Sequence, residues 1–196
     1  MNVPNRLTLS RFALTVAFLA VIFSRAPYRE TGALLLFGVA SLTDYFDGRI
    51  ARRDKLVTNF GILMDPLADK ILVCSAFIAF VGLQWMEAWM VVLIVARELA
   101  ITGLRLLAAS KQVVLAAEGF GKHKTIAQIV AILAILLRHS YHEWGPVGRQ
   151  VFGVPLFGAP WIEQFGPLAV WVAVILTFVS GSLYLWRNRT IYLQDL

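Results

Sequence analysis

Charge is scarce in this chain: only 15% of its 196 residues are Asp, Glu, Lys or Arg, against about 25% in a soluble domain. That scarcity argues against a water-soluble fold, and a mean hydropathy of +0.71 points the same way. Cysteine is nearly absent. Cys74 stands alone, cannot form an intrachain disulfide, and reads as a small buried apolar residue. Low-complexity linkers and tandem repeats are also missing, which leaves one domain over 1–196.

Apolar runs take their place. Runs of roughly 20 residues, long enough to cross a ~30 Å hydrocarbon core, recur at about 7–25, 31–51, 61–83, 86–108, 121–138 and 166–186. They are continuous rather than alternating, so helices are the spanning form. The expected fold is an all-α polytopic membrane protein with six transmembrane helices. Arg6 and Arg11 ahead of the first run imitate a secretory signal, but no small-residue cleavage site follows. The first span is expected to be retained.

The net charge is +6, unevenly spread. With the N-terminus inside, eleven Lys and Arg residues flank the inner ends and loops, whereas four (Arg25, Arg29, Arg138 and Arg149) lie outside. This asymmetry puts both termini in the cytoplasm. Because the positive residues cap apolar runs, a nucleic-acid partner is excluded, and the lipid bilayer with its anionic headgroups is the better one. Trp85, Trp89, Trp144, Trp161 and Trp186 fall near span ends, as an interfacial belt would. The outer connection 139–165 is long, and its Val-Phe-Gly-Val-Pro-Leu-Phe run is too short to span.

Against this background four aspartates stand out. Asp44 and Asp47 are three apart, and Asp65 and Asp69 are four apart, so each pair shares one helical face. Gly48 follows Asp44 by four and Gly61 precedes Asp65 by four, which puts a glycine on each carboxylate face and allows close approach. The two spans are antiparallel across a short inner loop, so the four acids can meet near the cytoplasmic surface. Carboxylates at membrane depth need compensation. Two divalent cations supply it, and all-oxygen ligation selects Mg²⁺ or Mn²⁺. A two-metal carboxylate site suits phosphoryl chemistry. Ion pairing of the acids with Arg49, Arg52, Arg53 and Lys70 would explain the charges but not the glycines.

The run Asp44-x-x-Asp47-Gly48-x-x-Ala51-Arg52, eight residues, Gly61-x-x-x-Asp65-x-x-x-Asp69 resembles the full signature of the CDP-alcohol phosphatidyltransferases. The resemblance implies six transmembrane helices, a homodimer, two divalent ions per active site, and a cavity open to the cytoplasm, while the compact size and the lack of a targeting extension lead to the expectation of a bacterial inner membrane. It also implies transfer of a phosphatidyl group from a CDP-linked lipid to an alcohol, with release of CMP. By the same resemblance Asp44, Asp47, Asp65 and Asp69 are metal ligands and Asp69 is the general base. Gly48, Ala51, Arg52, Thr58 and Gly61 fall to the CDP-lipid, together with Asn5, Thr8 and Arg11 in the opening segment. No serine or histidine stands in the signature, so direct attack is expected rather than a covalent intermediate.

The acceptor must be read elsewhere. Arg97, Glu98 and Arg105 lie in the inner half of the fourth run, and Lys122, Lys124, Thr125 and Gln128 open the fifth. Gathering such cations beside four carboxylates calls for a dianion between them. Residues 96–105 and 121–128 are similar to the corresponding segments of phosphatidylglycerophosphate synthases, a branch of that family. The implied donor and acceptor are CDP-diacylglycerol and sn-glycerol 3-phosphate. Arg97, Arg105, Lys122, Lys124, Thr125 and Gln128 are then the acceptor-phosphate residues. A phosphatidylinositol-phosphate synthase is the alternative within the family. A divalent-cation transporter is the alternative outside it, but that would call for related halves and a mid-membrane site.

Overall fold

The computed structural model describes the backbone of residues 3–54, 59–113 and 120–193, and the side chains of 9–43, 70–113 and 123–192. Six long helices dominate: α1 (Val3–Ile22), α2 (Arg29–Asp54), α3 (Asn59–Gly82), α4 (Ala88–Ser110), α5 (Phe120–Ser140) and α7 (Trp161–Arg187). Each covers one of the six apolar runs. Between α5 and α7 lie a 3-10 turn (Tyr141–Trp144), the short α6 (Gly145–Phe152), and a two-stranded hairpin of β1 (Pro155–Leu156) and β2 (Ala159–Pro160). A final turn, α8 (Arg189–Leu193), closes the described chain.

Boundaries differ from the run limits for local reasons. Helix α1 stops at Ile22 rather than at 25, because the Ser24 hydroxyl donates to the Val21 carbonyl at 2.7 Å and competes with continued helix. Helix α7 begins five residues early, behind Pro160, whose fixed φ (−51°) suits a helix entry. Pro167 is accommodated within its second turn. Among the described residues, the helical segments His123–Phe152 and Trp161–Arg187 are long and apolar enough to cross a membrane.

The helices alternate in direction, and cross-links fix two ends of the bundle. At one end Glu143 reaches back more than a hundred residues to cap α2, accepting from the Thr31 backbone N–H at 2.9 Å and from the Thr31 hydroxyl. The Trp144 indole donates to that same hydroxyl at 2.8 Å. Nearby, Trp85 after α3 stacks on His139 of α5 with centroids 3.8 Å apart, and Arg138 pairs with Glu163 of α7. The start of α2, the end of α3, the end of α5 and the start of α7 therefore share this end.

The core is aromatic and aliphatic, with Phe18, Phe37, Phe77, Phe80, Ile94, Ile132 and Leu136 fully buried. Helix α5 is central, packing on α2 and α7, while α1 packs on α2 and α3. The outside is just as apolar. Leu35, Val39, Val92, Leu99, Leu168, Ile175 and Phe178 are all more than half exposed. The bundle thus has an apolar surface beyond that of an ordinary soluble monomer.

Candidate active site

Helix α2 runs unbroken through Asp44 and Asp47, and α3 through Asp65 and Asp69. The helical spacing expected of each pair is therefore present, and each pair occupies one face of its helix. Asp54 and Asn59 are five peptide steps apart, which bounds the separation of the two helix ends at roughly 18 Å. The side chains of the four aspartates, and of Asn5, Thr8, Gly48, Ala51, Arg52, Thr58, Gly61 and Lys122, lie outside the described residues. As a donor set, four carboxylates on paired helical faces fit a hard divalent cation such as Mg²⁺ or Mn²⁺.

One residue beyond Asp69 the side chains are described again, and they form a buried polar cluster. Its hub is Glu98 of α4, only 3% exposed. Lys70 of α3 approaches Glu98 Oε2 with its Nζ at 3.3 Å and donates to the Glu98 carbonyl at 3.1 Å. Arg97 Nη1 lies 3.1 Å from Glu98 Oε1, and Lys124 of α5 donates to that same oxygen. Gln128 Nε2 is 3.4 Å from it. The ion pair between Arg97 and Glu98, legible as neighbours in the sequence, is thus one edge of a four-helix junction.

Helix α7 supplies the remaining side. Arg97 Nη2 donates to Ser180 Oγ at 3.3 Å, and Gln128 Nε2 to Thr177 Oγ1 at 3.1 Å. Arg105, two turns along α4 from Arg97, donates to the Tyr184 hydroxyl at 3.4 Å, and its guanidinium lies 5.7 Å from that ring's centroid. Arg97 Nε is buried without a hydrogen-bond partner among the described residues. Thr102 accepts from Lys70 and donates to the Glu98 carbonyl at 2.8 Å, holding both to α4.

Of the expected acceptor residues, the structure brings together Arg97, Lys124 and Gln128, and sets Arg105 beside them on the same side of α4. Thr125 is exposed on α5. Sequence reasoning missed the hub role of Glu98, the part played by Lys70 and Thr102, and the whole α7 face. A signal for that face exists, since Thr177, Ser180, Gly181 and Tyr184 are spaced three, one and three apart in an otherwise apolar run.

Lys70, Arg97 and Lys124 bring three basic side chains onto the one carboxylate of Glu98, and the exposed Arg105 lies two turns along α4 from Arg97. Buried charge of that kind requires compensation. A cavity of about 310 Å³ at the opposite end, between Trp85, Arg138 and Trp171, is remote from this chemistry.

The chain belongs to the CDP-alcohol phosphatidyltransferase family, whose model matches residues 1–179. A Bacillus subtilis (strain 168) protein named CDP-diacylglycerol–glycerol-3-phosphate 3-phosphatidyltransferase is 41% identical over 199 aligned positions, covering 95% of each chain. Proteins of the same name from Cereibacter sphaeroides and Shigella flexneri are 32% and 34% identical, over 99% and 96% of this chain and 98% and 95% of their own.

Proposed function

We propose that this chain transfers the phosphatidyl group of CDP-diacylglycerol to sn-glycerol 3-phosphate, giving phosphatidylglycerophosphate and CMP. The observation that carries the choice of acceptor is the cluster of Lys70, Arg97 and Lys124 around the buried Glu98, with the exposed Arg105 beside it, Lys70 being one residue along α3 from the signature aspartate Asp69. A phosphate dianion answers its excess positive charge, whereas a neutral alcohol does not. The names of the relatives support the same donor and acceptor.

In the mechanism, Asp44, Asp47, Asp65 and Asp69 would hold two Mg²⁺ or Mn²⁺ ions. When bound, these neutralise the carboxylates and the diphosphate and make CMP a better leaving group. Asp69 takes the proton of the attacking acceptor hydroxyl. That oxygen forms a bond to the lipid-linked phosphorus as the bond from that phosphorus to the CMP oxygen breaks. Arg97, Arg105, Lys122 and Lys124 hold the acceptor phosphate and so orient the hydroxyl, with Thr125 at the rim and the buried Gln128 beside Glu98. Asn5, Thr8, Arg11, Gly48, Ala51, Arg52, Thr58 and Gly61 hold the CDP-lipid. A metal-bound aspartate is a weak base, so positioning and charge neutralisation supply most of the acceleration.

The setting is a six-span bundle in a bacterial inner membrane, acting as a homodimer, with the signature end and both termini in the cytoplasm. The apolar outer surface of the helices and the eleven-to-four distribution of Lys and Arg support that orientation. Purified protein in Mg²⁺, given CDP-diacylglycerol and sn-glycerol 3-phosphate, is expected to release CMP and to stop on chelation. CMP release that persists in excess chelator would refute the metal-dependent reaction.

A further inference from the structure

The outer segment contains a conformation with no evident return inside the chain. In the β1–β2 hairpin Pro155 pairs with Pro160 and Leu156 with Ala159, leaving Phe157 and Gly158 as a two-residue turn. Both have positive φ, 50° and 89°. Such a turn favours Asn-Gly or Gly-Gly, and a bulky side chain in the left-handed region is strained. Yet the first position holds phenylalanine, and it is 94% exposed.

The segment is tied down at a defined height. Gln164, in the first turn of α7, donates from its side-chain amide to the carbonyls of Leu156 and, at 3.1 Å, Ala159. The Trp161 indole donates to the Val151 carbonyl at 3.0 Å. The hairpin therefore sits level with the entry of α7 into its apolar run, which begins at 166. A chain of aromatic contacts, Trp144 to Phe152 to Trp161 to Phe165 with centroids 5.5, 5.7 and 5.9 Å apart, lies at the same height. Aromatic clusters of this kind favour the boundary between headgroups and acyl chains.

Helix α6 turns one face outward. Gly148 is buried so tightly that a β-carbon there would stand 2.0 Å from the Tyr141 carbonyl oxygen. Val147 and Val151, one turn apart, are more than half exposed. Leu156 at the hairpin is half exposed as well, and exposed Arg149 adds a group suited to lipid phosphate.

We propose that residues 145–158 form an interfacial foot that inserts Phe157 and Leu156, with Val147 and Val151 beside them, into the outer leaflet of the bilayer. This rests on the six-span reading above. The occupant is lipid rather than a second copy or a soluble partner, because the patch continues into Phe165, Leu168 and Trp171, the exposed flank by which α7 meets the membrane. The foot would fix the height of α7 and, through the Glu143 cap, that of α2.

The test is spin-label accessibility in nanodiscs, on protein with Cys74→Ala and a nitroxide at Phe157→Cys, Val151→Cys or Ile175→Cys in turn. Collisions with oxygen, which partitions into lipid, are compared with collisions with a water-soluble nickel chelate. Labels at 157 and 151 are expected to collide more with oxygen than with nickel, at a shallower depth than the label at 175. Nickel dominance at 157 and 151 with oxygen dominance at 175 would overturn the foot alone. Exclusion of both reagents at 157 would also overturn it, in favour of a protein contact. Nickel dominance at 175 would overturn the spanning assignment of α7 itself.

Discussion

A β-carbon on residue 181 would stand 2.6 Å from Cγ of Arg97, so Gly181 is the position on α7 that lets the Arg97 stem lie against the helix backbone. The guanidinium then reaches both Glu98 and Ser180. Gly181→Ala must displace it. The KM for sn-glycerol 3-phosphate is expected to rise roughly tenfold, about 1.4 kcal/mol, with the KM for CDP-diacylglycerol nearly unchanged. Steady-state kinetics with each substrate varied in turn decide it, and an unmoved acceptor KM would remove Arg97 from the acceptor pocket.

Glu98 holds the junction of α3, α4, α5 and α7 together. Glu98→Ala leaves Arg97 and Lys124 buried without their carboxylate, a change worth about 3–5 kcal/mol when one partner of a buried pair is removed. Thermal unfolding in detergent should show a marked fall in Tm for Glu98→Ala and a smaller one for Glu98→Gln. Equal melting of wild type and Glu98→Ala would contradict the hub.

Asp69→Asn should abolish turnover while CDP-lipid binding survives, since the amide keeps the shape but cannot take a proton. Equilibrium binding of a labelled CDP-lipid, run beside CMP release, separates the two effects. Appreciable residual turnover would end its role as base.

Arg105 sits at the edge of the cluster, on Tyr184 rather than on Glu98. Arg105→Ala is expected to leave stability close to wild type and to raise the acceptor KM more than that of the CDP-lipid. Its contribution to binding is thereby distinguished from the structural one of Glu98.

At the opposite end, burial and a hydrogen bond with Glu30 push the Glu143 carboxyl above its ordinary range. Its two oxygens accept from the Glu30 and Thr31 backbone N–H groups, so Glu143→Gln keeps only one of these acceptors and should melt between wild type and Glu143→Ala. Glu143→Ala deletes the α2 cap, about 1 kcal/mol, and should lower Tm by roughly 2–4 °C. Matching losses in both variants would mean that the charge, not the cap, matters.

Much of this was legible in the sequence, and the reasons are physical. Apolar runs report long helices directly, because length and continuity are local properties, and the Asp44–Asp47 and Asp65–Asp69 spacings survive intact as helical faces. Contacts between distant segments leave no such trace. Nothing near Glu143 in sequence says that it caps α2, and nothing near Glu98 says that Lys70, Lys124 and Gln128 converge on it. Arg97 and Lys124 were visible as charges in apolar runs, but their common carboxylate, Glu98, was read only as a partner of Arg97. Gly181 was unreadable for a simpler reason: a glycine in an apolar helix acquires meaning only when its neighbour across the interface is known. The outer segment hid its hairpin because Phe157 violates the preference that would have marked the turn.

The most direct measurement offers purified protein CDP-diacylglycerol with equal concentrations of sn-glycerol 3-phosphate, inositol phosphate, serine and glycerol, and identifies the lipid products by mass spectrometry. Phosphatidylglycerophosphate as the dominant product, accompanied by one CMP per lipid formed, is expected. Dominance of the inositol-phosphate product would contradict the acceptor assignment, and dominance of the serine or glycerol product would contradict a pocket built for phosphate.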